Sequence, residues 1–155
     1  MNGRIYTGIF EEVAVTAIQD FFELIGPADS ALLIHEWGIY QSSDAGDAAS
    51  EMLQILCHRG TATGSGGTSE TPVPKNVGDA AFGGTMEVNN TSQSAEGAHI
   101  GGTYTFNIMA GIQQIYTPET RPVISPSGLF IIESQIAPAD SLTMSGYLTF
   151  EEIGG

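Results

Sequence analysis

Along much of this chain apolar residues recur at every second position, and short groups of Gly, Pro, Asp, Ser and Asn separate the segments that do so. A two-residue period places alternate side chains on opposite faces of a strand. The last third shows it most clearly, with Leu142, Met144, Leu148 and Phe150 alternating with Thr143, Ser145, Tyr147, Thr149 and Glu151. Upstream lies GLFIIESQI (128–136), and Pro138-Ala139-Asp140-Ser141 between the two runs predicts a hairpin. The same four residues occur as Pro27-Ala28-Asp29-Ser30. Proline presets φ and the Asp and Ser side chains bond nearby amides, so both copies read as tight connections between antiparallel strands.

From Arg4 to Ile18 the residues favour a strand, although AVTAIQDFFELI would pass for helix by propensity alone. In ALLIHEWGIYQ (31–41), Leu33, His35, Trp37 and Ile39 fall on one face, opposite Leu32, Ile34, Glu36 and Tyr40. A loop of turn formers at 42–51 leads into MLQILCHRGT, where Leu53, Ile55 and Cys57 share a face opposite Met52, Gln54, Leu56 and His58. Residues 61–76 combine Gly and Ser with two prolines and read as a flexible surface loop. A short helical turn is predicted at 79–84, followed by alternation of Met86 and Val88 against Glu87 and Asn89. Further strands are predicted at Thr103 to Met109 and Ile112 to Tyr116. The sum is about eight strands, an all-β, antiparallel β-sandwich or jelly-roll-like fold. It forms a single domain over 1–155, with residues 1–10 a contact arm.

Composition narrows what such a sandwich can bind. Four basic residues face eighteen acidic ones, a formal charge of -14, which argues against nucleic acid and anionic membrane as partners. Cys57 is the single cysteine, so no internal disulfide is available and a buried, inert thiol is expected. The N-terminal segment lacks the apolar core of a secretory signal, so synthesis in a cytoplasm is expected, and no run reaches the length of a membrane span.

Candidate chemistry is sparse. Asp44, Asp47 and Glu51 offer hard oxygen ligands, but their spacing does not match a calcium loop and a solvated acidic loop is expected. Cys57 and His58 would point to opposite faces of a strand and share no metal. Ser65 sits in T-G-S-G-G rather than G-x-S-x-G, and Gly64 to Gly67 lack the Lys and helix of a phosphate loop. Sequons begin at Asn89 and Asn90, without a secretory route to glycan transfer. Neither catalytic residues, nor a cofactor, nor a metal site is expected.

The segments AVTAIQDFFEL, QSSDAGDAASE, RGTATGSGG and VNNTSQSAEG, with the closing strand that ends in FEE, resemble small virion structural proteins of tailed bacteriophages and prophages. The resemblance implies a non-enzymatic capsid decoration (cement) protein, bound to the major capsid protein on the exterior of the virion, with a homo-oligomer, a trimer, as the expected state. On this basis the contacts are expected from the N-terminal segment and the 61–76 excursion, through Ile5, Tyr6, Ile9, Phe10, Thr71, Pro72, Val73 and Pro74. The alternative is a tail or fibre sandwich that binds a receptor or carbohydrate with Trp37 and Tyr40 exposed in one groove.

Overall fold

The computed structural model describes residues 3–42 and 50–154. Within them the chain forms β1 (Arg4–Val15), β2 (Asp20–Ile25), β3 (Ala31–Gln41), β4 (Met52–His58), β5 (Thr68–Glu70) and β6 (Val73–Pro74). The second half adds β7 (Thr85–Asn90), β8 (His99–Asn107), β9 (Ile112–Ile115), β10 (Val123–Ile124), β11 (Leu129–Ser134) and β12 (Leu142–Ile153), and the described residues contain no helix. One sheet has the order β10-β3-β12-β1-β6, with β9 also paired to β3; the other has the order β5-β7-β2-β11-β4-β8. Every pairing is antiparallel.

The pairing is nested. β1 pairs with β12, β2 with β11, β3 with β9 and β10, and β4 with β8, the arrangement of a folded ribbon wound into a jelly roll. The expected all-β sandwich is therefore present, with more strands than expected. The surplus is β2, β5, β6 and β10; β5 and β6 lie between β4 and β8 in sequence, β5 beside β7 at the edge of one sheet and β6 at the edge of the other. Residues 61–76 are thus tied into the fold through β5 and β6. β6 contains Pro74 and forms the edge, where a missing N–H costs no ladder bond.

Three local expectations change. Both Pro-Ala-Asp-Ser segments carry the chain from the second sheet to the first, so β11 and β12 do not form a hairpin. Each corner is held by a glutamate: Ser30 Oγ donates to Glu152 Oε1 at 3.3 Å, and the Ala139 amide donates to Glu51 Oε2 at 2.9 Å. The run from Arg4 through AVTAIQDFFELI divides into β1 and β2, again one strand in each sheet. The turn expected at 79–84 lies earlier, where the Asp79 amide donates to Asn76 O at 3.0 Å.

Between the sheets Tyr6, Phe21, Phe22, Trp37, Phe130 and Phe150 are fully buried. β12 alternates without interruption, and its neighbours adjust to it. In β3 the register shifts at His35, so Leu32 and Ile34 before it and Trp37 and Ile39 after it all enter the core. In β1 a bulge follows Phe10, with Glu12 at φ 50, and moves the buried parity from Tyr6 and Phe10 to Val15. A shift between β2 and β11 leaves Phe21 and Phe22 both buried, their rings 5.8 and 5.2 Å from that of Phe10.

Residues 4–10 belong to β1, flanked by β12 and in part by β6, rather than forming a free arm. Deleting residues 1–10 is expected to abolish the native fold, because it removes Tyr6 and Phe10 from the core and strips β12 of most of its pairing with β1, one of its two neighbours. Leu148→Asp should do the same by burying an unpaired charge where a leucine is fully enclosed, a loss of at least about 4 kcal/mol. Thermal melts followed by circular dichroism check both; a cooperative native-like melt of the truncated chain would restore the arm.

Candidate interaction surface

The two sheets differ in what covers their outer faces. On the first sheet the register lays out three open rows. Ile9, Tyr147, Gly38 and Gln113 form one; Val73, Thr7, Thr149, Glu36 and Ile115 the next; Ile5, Glu151, Leu33 and Val123 the third. Glu36 and Glu151 are the only charged side chains in these rows. Glu151 Oε2 lies 2.9 Å from His35 Nε2. Val73 is 66% exposed and Ile115 62%, at opposite ends of the same row. Tyr40 and Tyr147 stack with centroids 6.5 Å apart over Gly38, where a Cβ would come within 2.6 Å of the Tyr147 ring. Glycine at 38 lets the two rings lie flat on the sheet.

The residues expected at an interface divide by strand parity. Ile5 and Ile9 point outward from β1, and Val73 joins them by pairing with Thr7. Thr71 is exposed beside this edge. Tyr6 and Phe10 face the opposite way and are core residues, 0% and 4% exposed, so they are not available as contacts. Tyr6 stacks on Phe150 and its hydroxyl donates to Ala80 O at 2.9 Å. Pro74, its register partner, is half-buried, and Pro72 is buried. Between β1 and the β5–β7 edge runs a groove of about 320 Å³ lined by Ile9, Phe10, Val13, Glu70 and Val88. Its β1 edge is partly capped, because the Ile9 amide donates to Glu70 Oε1 at 3.1 Å.

The outer face of the second sheet is roofed. Residues 59–67 and 91–98 form a flap whose arms are joined by Arg59 N to Ala98 O (2.9 Å), Thr61 N to Ala95 O (2.9 Å) and Ser65 N to Ser92 O (2.9 Å). Beneath it lie Asp20, Glu23, Leu56, His58, Asn90, Ile131 and Glu133, all buried. Asp20 Oδ2 accepts the Ser94 amide at 2.8 Å, Glu23 Oε2 accepts the Gly64 amide at 2.6 Å, and the Gly97 amide points to His58 Nδ1 at 3.4 Å. His58 Nε2 lies 3.2 Å from Glu133 Oε2. Burial pushes the Asp20 carboxyl up to about 6, against the opposing Ser94 amide and with help from the charges of Glu133 and Glu23. Glu23 is also raised by burial, opposed by the Gly64 amide and reinforced by Glu87. Burial lowers His58, but hydrogen bonding to Glu133 and to the Arg59 backbone, with the charges of Glu133 and Asp20, outweighs it and holds the ring above its ordinary value.

Sequence reasoning missed this cluster. Its signal was present as carboxylates set within apolar runs, QDFFELI and FIIES, on strands covered on both faces. Among the other candidates, Asp44 and Asp47 lie outside the described residues, and Glu51 holds the second Pro-Ala-Asp-Ser corner. Cys57 and His58 do point to opposite faces, Cys57 into the core and His58 under the flap. Among the described residues no group of three His, Cys, Asp or Glu side chains is placed to hold a metal ion. Ser65 joins the flap arms, and Asn90 of the sequons is fully buried. Trp37 is fully buried, its Nε1 donating to the Tyr116 hydroxyl at 3.4 Å, while Tyr40 remains exposed.

No family model matches the chain, and no curated protein matches it. Among solved structures there is a very weak similarity to VP17, a capsid protein of bacteriophage P23-77. It has 10% identity, covers 91% of this chain and 86% of that one, and gives a TM-score of 0.11. A superposition that loose supports neither a shared fold nor a shared role.

Burial raises the Cys57 thiol to about 12, with a smaller opposing effect from Tyr116. Native protein at pH 8 is therefore expected to leave Cys57 unmodified by a thiol-reactive dye, with full reaction once denaturant is added. Rapid labelling of the folded chain would show that the core around Trp37 and Cys57 opens readily.

Proposed function

We propose that this protein is a structural component of a bacteriophage virion, a decoration protein that docks on the major capsid protein of the head shell as a homo-oligomer, with a trimer as the favoured state. The observation that carries this proposal is the open outer face of the first sheet. Its three rows carry Glu36 and Glu151 as their only charged side chains, and it presents Ile5, Ile9, Val73, Ile115, Val123 and the Tyr40–Tyr147 pair. Exposed apolar side chains grouped around a pair of aromatic rings mark a surface that gains by being covered. The sequence resemblance to small virion proteins of tailed phages points the same way. Many copies on one lattice would add weak individual contacts at high effective concentration.

The receptor-binding alternative called for Trp37 and Tyr40 to share an accessible groove. Trp37 lies in the core, so that surface would have to work without its indole.

In a preparation of the particle, the protein is expected in near-stoichiometric proportion to the shell subunit. Recovery of only a few copies per particle would reject the decoration role. Val73→Asp and Ile9→Asp change exposed positions and should leave the melting temperature of the isolated protein within a few degrees of wild type. Each should lower occupancy on the particle at least tenfold, measured by quantitative gel densitometry of rebound particles.

A further inference from the structure

Beneath the flap, Asp20 and Glu23 of β2 and Glu133 of β11 are buried with a single imidazole, His58 of β4. Among the described residues no lysine or arginine is paired with them. Two of these carboxylates hold the flap directly, Asp20 through the Ser94 amide and Glu23 through the Gly64 amide, so the flap cannot lift without exposing both. The other oxygen of Asp20 has no donor. Asp20 Oδ1 is buried without a hydrogen-bond partner, and so are both polar atoms of the Asn90 amide and Ser94 Oγ. Asn90 is the cross-strand partner of Asp20, and the two side chains converge on Gly64, where a Cβ would come within 2.9 Å of Asp20 Oδ2 and 3.0 Å of Asn90 Nδ2. A proton on Oδ1 would turn a buried acceptor that lacks a donor into a donor.

We propose that the flap is a proton-linked lid, closing over the second sheet with a proton held on Asp20 and loosening as that proton is lost towards neutral pH. Support comes from the direction of titration. The Asp20 carboxyl is raised from 3.8 to about 6 by burial, so the closed flap binds the proton more tightly than an open one that returns Asp20 to water. The sign follows: closure is favoured fully below about pH 4 and that preference is lost as pH rises through about 6. The groups facing Asp20 are Glu23 on its own strand, Asn90 and Glu87 on β7, Glu133 on β11 and His58 on β4. From the flap it meets amides. The Arg59 guanidinium turns away to Val123 O at 3.1 Å, and Glu96 and His99 pair with each other at the exposed end. Protonation relieves repulsion with Glu133 and Glu23 and gives up the smaller attraction between Asp20 and the His58 ring.

Hydrogen exchange of the flap amides of Thr61, Ser65 and Ala95, corrected for intrinsic rates and compared with amides of β12, tests the lid between pH 4 and 8. In the wild-type chain the flap opening constant should rise by up to about a hundredfold across this range while β12 stays protected, the factor corresponding to the rise of Asp20 from 3.8 to about 6. Asp20→Asn, which keeps the shape of the protonated acid and supplies the donor, should flatten the profile. A flat or falling wild-type profile overturns the lid, as does an unchanged slope in the variant, which would assign the effect to His58 or to overall charge. Should Asp20→Asn fail to fold, the carboxyl carbon shift of Asp20 in the wild-type protein decides: a midpoint above pH 5 supports the lid and one near 4 overturns it. Millimolar calcium restoring full protection at pH 7.5 would also overturn it, since a cation rather than a proton would then occupy the cluster.

Discussion

The uninterrupted alternation of β12 is the constraint around which the first sheet is arranged. Twelve residues present Leu142, Met144, Leu148 and Phe150 to one side, and both neighbours must offer apolar groups to the same side. Neither neighbour has an unbroken period of two. β3 absorbs the mismatch at His35 and β1 at Glu11 and Glu12, each by inserting a residue that the partner does not match. These irregularities have a chemical by-product. The inserted His35 emerges on the outer face beside Glu151, and Glu12 is turned so that its amide meets Ser145 Oγ at 3.0 Å. Edge and face chemistry are thus set by how the core is filled.

The fold class was legible because period-two patterning and turn residues agree over most of the chain, most cleanly in β4 and β12. What could not be read was parity across a bulge. Strict alternation put Trp37 with Leu33 and His35, whereas one inserted residue moves it to the face of Leu32 and Ile34. The Pro-Ala-Asp-Ser corners were recognisable as turns, but a turn does not state whether the next strand continues in the same sheet. That is decided by long-range pairing, here β12 with β1 and β3. Of the expected contact residues, Ile5, Ile9 and Val73 share the open face, whereas Tyr6 and Phe10 enter the core because residues 4–10 form a strand inside the sheet. Apolar alternation alone does not distinguish a strand at an edge from one inside a sheet.

Unequal treatment of the two outer faces links the surface and the flap. The insertion between β4 and β8 roofs one sheet and, through β6, widens the other. Roofing creates the low-dielectric space in which Asp20 and Glu23 titrate upward. Among the described residues the opposite face carries no such cover. Under the proposed decoration role, the open face would turn inward to the shell and the flap towards solvent.

Nested pairing also governs when this polypeptide can fold. β1 finds its main partner in β12, and β2 in β11, so during synthesis the earliest segments must wait, unsatisfied, for the last ones to leave the ribosome. Until then Tyr6, Phe10, Phe21 and Phe22 are exposed on a nascent chain whose unpaired edges invite association with other copies. A formal charge of -14 on the chain opposes that association by mutual repulsion.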